Sequence, residues 1–295
     1  MTERQNGILT KCIGGFYYVE VADTVYTCKA RGILRQQRVS PVAGDRVEIT
    51  VADDGTGTVE AVLPRKNFLV RPPVANLDLL VMVVAVADPA PHLQVLDNLI
   101  AVAESRGIEP ILVINKTDLA AGDDLVTLYR AAGFTALSVC AKLPETLAPL
   151  RKILSGKVAA FTGNSGVGKS SILNALEPSL TLETGEISKH LGRGRHTTRC
   201  ATLFRIGDGY VVDTPGFSSL NMDMVGEELT CDNLFFCFRE FAPYFGKCRF
   251  ATCTHTREPN CAVRAAVEAG KIAPSRYASY TVLYEQLKGR KEWET

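Results

Sequence analysis

Eight consecutive residues, Gly163-Asn164-Ser165-Gly166-Val167-Gly168-Lys169-Ser170, carry the spacing G-x-x-x-x-G-K-[ST] between an apolar run, Val158–Phe161, and a helical pattern, Ser171–Leu176. Glycines at this spacing let backbone N–H groups turn inward around a polyphosphate, and the helix start adds its partial positive charge. The pattern places Lys169 on the β- and γ-phosphates and the Ser170 hydroxyl on Mg²⁺, with Ser171 beside them. A plain glycine-rich turn would require neither the strand before it nor the helix after it.

A second group, Asn115-Lys116-Thr117-Asp118, follows the apolar run Ile111–Ile114. A carboxylate at Asp118 can accept from guanine N1–H and from the exocyclic amine together; adenine would leave it desolvated and unpaired, a discrimination of about 10⁴. Asn115 is expected at the O6/N7 edge and the Lys116 stem over the base. Ser138-Val139-Cys140, after another short apolar run, is the backbone expected to touch O6. A third group, Asp213-Thr214-Pro215-Gly216, follows Tyr210-Val211-Val212. It offers Asp213 to Mg²⁺ through water and the Gly216 N–H to the γ-phosphate.

Between the first and third groups lies Gly192-Arg193-Gly194-Arg195-His196-Thr197-Thr198-Arg199. Thr198, chosen over Thr197, would ligate Mg²⁺ when the γ-phosphate is present. Phe217 stands where Ras-like enzymes carry a water-orienting Gln, and a phenyl ring cannot hold water by hydrogen bonding. His196 is the internal candidate for that catalytic work; a histidine that anchors the loop or touches RNA is the competing reading.

The elements that position these groups form an α/β pattern. Leu77–Ala87, His92–Arg106 and Ile111–Ile114 alternate strand, helix, strand, which predicts a doubly wound parallel sheet over residues 73–220 with its ligand at the strands' carboxyl ends. The order of the groups is permuted: N-K-x-D precedes the phosphate loop instead of following D-x-x-G. Joining the old termini and opening the chain elsewhere keeps the same sheet. The chain then leaves this domain just after the third group.

Residues 1–72 show strands without helical periodicity: Phe16–Val21, Thr24–Lys29, Arg46–Val51 and Gly57–Val62. A small oligonucleotide-binding (OB-fold) barrel is expected. Arg31, Arg35, Arg38, Arg65, Lys66 and Arg71, with Phe16 and Tyr17, could grip RNA; a solvated face over core aromatics explains them equally. Residues 221–295 contain Cys248-x₄-Cys253-x-His255-x₅-Cys261, a Cys₃His set that suits one structural Zn²⁺ in a small α-helical domain, with helices at Ala262–Ala269 and Ser275–Leu287. Cys231 and Cys237 read as packing. Arg239, Lys247, Arg249, Arg257, Arg264, Lys271 and Arg276 suggest an RNA contact surface there, against a plain docking subdomain.

Composition sets the frame for these groups. The 295 residues are 46% hydrophobic and 22% charged, enough to bury substantial cores. The net charge of +1 neither favours nor excludes a nucleic-acid partner, so local patches decide. Nine cysteines without an apolar leader fit a reducing cytoplasm, and no run is long enough to span a bilayer. A monomer is expected.

The conjunction of N-K-x-D, G-N-S-G-V-G-K-S, G-R-H-T-T, D-T-P-G and C-x₄-C-x-H-x₅-C resembles the ribosome small-subunit-dependent GTPase A family over nearly the whole chain. The resemblance implies a GTPase that binds GTP and GDP, the bacterial small (30S) subunit and its 16S rRNA. It implies hydrolysis stimulated by that particle, late subunit maturation with release of assembly factors, and a catalytic role for His196. The family's G-R-H-T-T-T ends here in Arg199 instead of a third Thr. A non-catalytic guanine-nucleotide sensor is the rival reading; an RNA-modifying or transport NTPase is a third.

Overall fold

The computed structural model describes residues 4–32, 34, 40–70, 73–180, 201–213 and 228–291. At the amino-terminal end, β1 (Arg4–Ile13), β2 (Phe16–Val21), β3 (Thr24–Ala30), β4 (Arg46–Val51) and β5 (Gly57–Val62) close into an OB-like barrel. Closure depends on β1, which pairs antiparallel with β4 from Arg4 to Ile8 and with β2 from Ile8 to Ile13. β3 and β5 run parallel, and β4–β5 completes the ring. Leu9, Val19, Cys28, Val47, Ile49 and Val59 fill it.

β1 is absent from the strands expected from sequence, and its composition explains why. Its first half, Arg4-Gln5-Asn6-Gly7, is polar and carries a glycine, both poor strand signals. Gly7 is required by contact: a Cβ there would meet Val19 Cγ1 at 2.5 Å and the Glu20 carbonyl at 2.7 Å. The strand can serve two partners only because it passes this close to β2. A short hairpin, β6 (Phe68–Val70) with β7 (Pro73–Ala75), leads out of the barrel.

Six strands make the central sheet in the order β10-β9-β8-β11-β13-β12. They are β8 (Leu79–Ala85), β9 (Glu109–Asn115), β10 (Thr135–Ser138), β11 (Val158–Thr162), β12 (Thr202–Ile206) and β13 (Gly209–Asp213). All run parallel except β12, which forms a hairpin with β13 and touches β1 at Lys11↔Thr202, joining sheet and barrel. The strand side chains alternate between two cores, as the period of two requires. Leu80, Met82, Leu112 and Ile114 face α1 (Leu93–Ser105) and α2 (Asp123–Ala131). Val81, Val83, Ile111 and Val113 face α3 (Ala148–Leu154) and α4 (Lys169–Leu176). This two-sided burial is why these strands read as continuous apolar runs.

The carboxyl-terminal module has its own core of Phe235, Phe238, Phe241, Val263, Tyr280 and Leu283, with Cys237 buried in it and Cys231 packed alongside. Its helices are α5 (Ala262–Glu268) and α6 (Pro274–Lys291). α1 belongs to two cores at once. Leu96, Ile100 and Ala103 face the sheet, while Ala101 and Val102 pack into the carboxyl-terminal module.

Three buried charges pin that junction. Arg276 is 1% exposed; its Nη1 donates to Asp97 Oδ1 of α1 at 2.7 Å and its Nε to Glu240 Oε1 at 2.7 Å. Its guanidinium lies 4.5 Å from the Phe238 ring centroid, and the Tyr129 hydroxyl also donates to Asp97, at 2.9 Å. Nearby, Arg239 reaches both Glu104 and Glu109 at 2.6 Å. Arg239 and Arg276 were expected on an RNA-facing surface; Arg276 is buried and Arg239 half-buried, and both are spent on carboxylates that offset their lost hydration.

Candidate active site and metal centre

The phosphate loop is shaped by backbone constraints at its glycines. It connects β11 to α4. Gly163 has φ +144°, and a Cβ there would sit 2.1 Å from the Val83 carbonyl oxygen of neighbouring β8. Gly168 has φ +96° and closes against the Asn115 side chain, whose Nδ2 would be 2.2 Å from an added Cβ. Only glycine meets both demands. Lys169 opens α4 and folds back over the loop, its Nζ donating to the carbonyls of Gly163 at 2.5 Å and Asn164 at 2.8 Å. Burial pushes its pKa down. An anionic ligand in the loop would relieve that burial penalty by pairing the ammonium. Ser170, the second residue of α4, is buried, and Ser171 follows it on the same turn. Asn164 and Ser165 form the exposed crest of the loop with Gly166, and Val167 is buried beneath it.

Asn115, at the end of β9, ties the loop to the segment that follows β10. Its Nδ2 donates to the Val167 carbonyl at 2.8 Å and its Oδ1 accepts the Ala141 N–H at 3.1 Å. Both ends of its amide are thereby engaged with the protein. It is 2% exposed, so these bonds also satisfy polar atoms that could not otherwise be buried. Lys116 has φ +63° and its Nζ donates to the Asp88 carbonyl, while Thr117 Oγ1 donates to the Val139 carbonyl at 3.0 Å. These contacts hold Lys116-Thr117-Asp118 as a fixed turn.

Asp118 Oδ2 pairs with Lys142 Nζ at 2.6 Å, and its Oδ1 accepts from Cys140 Sγ at 3.5 Å. The hydrogen bond from Lys142 is the main cause that holds its carboxyl below the usual range, so it is an anion at neutral pH. Ser138, Val139 and Cys140 lie beside it at the end of β10. The Val139 N–H donates to the Ile114 carbonyl and the Cys140 N–H to Thr146 Oγ1, at 2.8 and 3.0 Å. Ala141, Lys142 and Thr146 were not singled out from the sequence. The signal was their place just past β10, at the next carboxyl end of the same sheet.

Asp213 ends β13, one residue past the Ala160↔Val212 register with β11, so its backbone arrives beside the strand that feeds the phosphate loop. His196, Thr198, Gly216 and Phe217 lie outside the described residues, as do Arg35, Arg38 and Arg71. Beside the phosphate loop a small recess, open to solvent, is lined by Val83, Ala85, Asn164 and Val167 and by Leu96 and Leu99 of α1. One helix thus lines this recess with Leu96 and Leu99 and seats the carboxyl-terminal module with Asp97, Ala101 and Val102.

Among the described residues, Cys248, Cys253, His255 and Cys261 form the one cluster with a metal-ligand set, their ligand atoms all within 4.8 Å of one another. His255 Nδ1 lies 3.4 Å from both Cys248 Sγ and Cys261 Sγ, and those two sulfurs are 3.9 Å apart. A tetrahedral zinc with ordinary bond lengths sets edges of roughly 3.6 Å for N–S and 3.8 Å for S–S. The four donors therefore fit a closed structural zinc site. Burial, with neighbouring thiols adding to it, pushes the Cys253 thiol up to about 12. Without a cation, thiolates this close would repel one another. His255 and Asn260 take φ +61° and +57°, and the Tyr277 hydroxyl donates to the His255 carbonyl at 2.9 Å, fixing the loop from α6.

Of the barrel cations expected at an RNA-facing rim, Arg65 is paired with the fully buried Asp45 at 2.7 Å, Arg31 with Glu60 at 2.6 Å, and Lys66 with Asp78. Tyr17 packs against the barrel core, whereas Phe16 is exposed.

Comparison with known proteins agrees over the full length. The RsgA GTPase family model matches residues 62–223, and the RsgA N-terminal domain model matches residues 6–59. A small ribosomal subunit biogenesis GTPase RsgA from Alkaliphilus metalliredigens is 43% identical, the match covering 97% of this chain and 99% of the relative. Its counterpart from Geobacillus thermodenitrificans is 43% identical over 97% of this chain and 98% of the relative. The crystal structure of YjeQ from Thermotoga maritima superposes with a TM-score of 0.83 at 36% identity, covering 97% of this chain and 99% of that one. YloQ, described as a circularly permuted GTPase, gives 0.82 at 31% identity, covering 98% of this chain and 96% of that one.

Proposed function

The chain belongs to the RsgA GTPase family, and on that premise we propose that it hydrolyses GTP to GDP and phosphate on the small ribosomal subunit. In this reading the GTP state binds the maturing particle and its 16S rRNA. The particle stimulates hydrolysis, and the GDP state leaves together with assembly factors. The enzyme is a GTPase; its coupling to late subunit maturation is the proposal. The observation that carries it is Asn115, which joins the phosphate loop at Val167 to the base-reading segment at Ala141. One side chain thereby sets the distance between a triphosphate grip and a guanine reader.

In the assignment we favour, Gly163 to Ser171 hold the phosphates, and Asn115, Lys116, Asp118 and Ser138 to Cys140 surround the base. Ser170, Thr198 and Asp213 arrange Mg²⁺, Gly216 follows the γ-phosphate, and His196 positions or deprotonates the attacking water. Zn²⁺ at Cys248, Cys253, His255 and Cys261 stabilises the carboxyl-terminal module. We divide the chain at 1–72, 73–220 and 221–295, and place it in the cytoplasm as a monomer.

Single-turnover hydrolysis with and without purified small subunits tests this reading, alongside cosedimentation in GTP-analogue and GDP states. Small subunits should accelerate turnover, and cosedimentation should weaken in GDP. His196→Ala should keep GTP affinity and lose most of the stimulated rate. Equal rates with and without the particle would leave a nucleotide sensor as the better description.

A further inference from the structure

The two most exposed large apolar side chains among the described residues are neighbours. Phe236 is 60% and Phe245 66% exposed, and their ring centroids are 5.5 Å apart. They do not hang loosely. Both lean on the buried Phe235, at 5.3 and 6.0 Å, and the Phe235 ring lies 4.8 Å from the ring of His255. The exposed rings are therefore braced on a side chain that the metal centre itself holds. Two bare phenyl faces on a rigid base call for an occupant, since water solvates them poorly.

The surroundings choose the occupant. Just past Phe245 come Lys247 and Arg249, both exposed and neither in an ion pair among the described residues. Arg249 also lies 5.6 Å from the ring of Phe250, itself 43% exposed. Two of the carboxylates nearby are turned inward: Glu258 accepts from Thr254 and Thr256, and Glu240 holds Arg276. The patch thus presents exposed phenyl rings edged by cations that form no ion pair among the described residues. A stacked base with its phosphate uses both the rings and the cations. The bases of an RNA duplex are closed to such contact, so the partner must offer unpaired nucleotides.

We propose that Phe236 and Phe245, with Lys247 and Arg249 beside them, form a stacking platform for unpaired RNA bases. The proposal rests on the reading of this protein as a small-subunit factor, and adds to it the residues and the kind of RNA that this face takes.

The test compares the full-length, zinc-loaded protein with Phe236→Leu/Phe245→Leu, which keeps apolar bulk but removes the π faces, and with Phe236→Tyr/Phe245→Tyr, which retains them. Probes are a 12-nucleotide unstructured RNA, the same RNA annealed to its complement, and purified small subunits. Zinc content and GTP affinity serve as folding controls. The leucine pair should bind the single strand roughly tenfold more weakly or worse, the tyrosine pair should restore most of that affinity, and duplex binding should move little. Phe236→Trp should lose indole emission when the single strand binds. Leucine variants that bind single strand and subunits like the wild type would overturn the platform alone. A leucine pair that loses subunits yet keeps its affinity for the single strand would mean that a protein sits on this face, and would also overturn it. Wild-type protein that fails to cosediment with small subunits in either nucleotide state would instead bring down the reading beneath it.

Discussion

The glycine loop from Gly163 to Gly168 and the cysteine loop from Cys248 to Cys261 are both short stretches of irregular backbone, yet they are shaped by different atoms. Between Gly163 and Gly168 the form comes from missing side chains: a neighbouring carbonyl fills the space a Cβ would need, and N–H groups are left to face the ligand. Between Cys248 and Cys261 the form comes from side chains that converge, with Tyr277, Tyr280 and Glu258 bonding the backbone between them. The shape of the first loop is imposed by Val83 of β8, Asn115 of β9 and Lys169 of α4. The second brings three thiols and an imidazole together, an arrangement that calls for a cation. The lesson is that a ligand which must come and go sits on a prebuilt cradle, while a resident ion takes part in the fold.

Removing the resident ion should produce the largest effect. Chelation, or Cys261→Ser, should forfeit a binding free energy of about 10 kcal/mol that is also folding free energy. Limited proteolysis should then digest residues 228–291 while the central sheet survives; a module that stays protease-resistant without metal would erase the contrast.

The junction between the two regions comes next. Arg276→Met leaves Asp97 and Glu240 buried without their cation, a loss of about 3–5 kcal/mol. Asp97 would keep only the Tyr129 hydroxyl, on Oδ1, and its Oδ2 already has no hydrogen-bond partner. The triple variant Arg276→Met/Asp97→Leu/Glu240→Met should recover most of the loss in urea melts. If the triple is no more stable than the single, packing and not charge holds the junction.

Gly163→Ala should act in the opposite way to metal removal. Backbone strain of about 1–3 kcal/mol is expected in the melt, yet calorimetry should find GTP binding gone, because the loop must shift away from β8 to admit the methyl group. Near-normal GTP affinity in this variant would deny that a missing Cβ shapes the cradle.

The smallest effect concerns Lys142 and pH. Asp118 has a lowered pKa, so its ionised form is favoured, and that advantage is complete above the ordinary carboxylate value of about 3.9 and is lost as pH falls through the depressed one. GTP affinity should therefore stay flat from neutral pH well into mild acid. Lys142→Ala should lower affinity only a few-fold and move the acid fall-off to higher pH; an unmoved fall-off would assign it to another group.

Local signals account for what could be read from the chain. The phosphate loop, N-K-x-D and the Cys₃His set are each contained within a short window, and the expected strands Phe16–Val21, Arg46–Val51 and Gly57–Val62 have the observed ends. What stayed hidden depends on partners far away in sequence. β1 looks too polar to be a strand until β2 and β4 are placed on either side of it. Arg276 looks like one more surface cation until Asp97, 179 residues earlier, is set against it. Asn115 stands in a four-residue motif, and nothing in that window shows that its two bonds reach 52 and 26 residues onward. Charge type can be read from a sequence; charge partnership is decided by the fold.

The central claim is that one pocket grips a triphosphate and reads guanine through Asp118. Its most direct test is a titration of wild-type protein and Asp118→Asn with GTP, xanthosine triphosphate and ATP. The wild type should prefer GTP over ATP by about 10⁴. The variant should lose GTP and gain xanthosine triphosphate, which offers a carbonyl where guanine has its amine. ATP binding as tight as GTP, or a base preference unchanged by Asp118→Asn, would contradict the account.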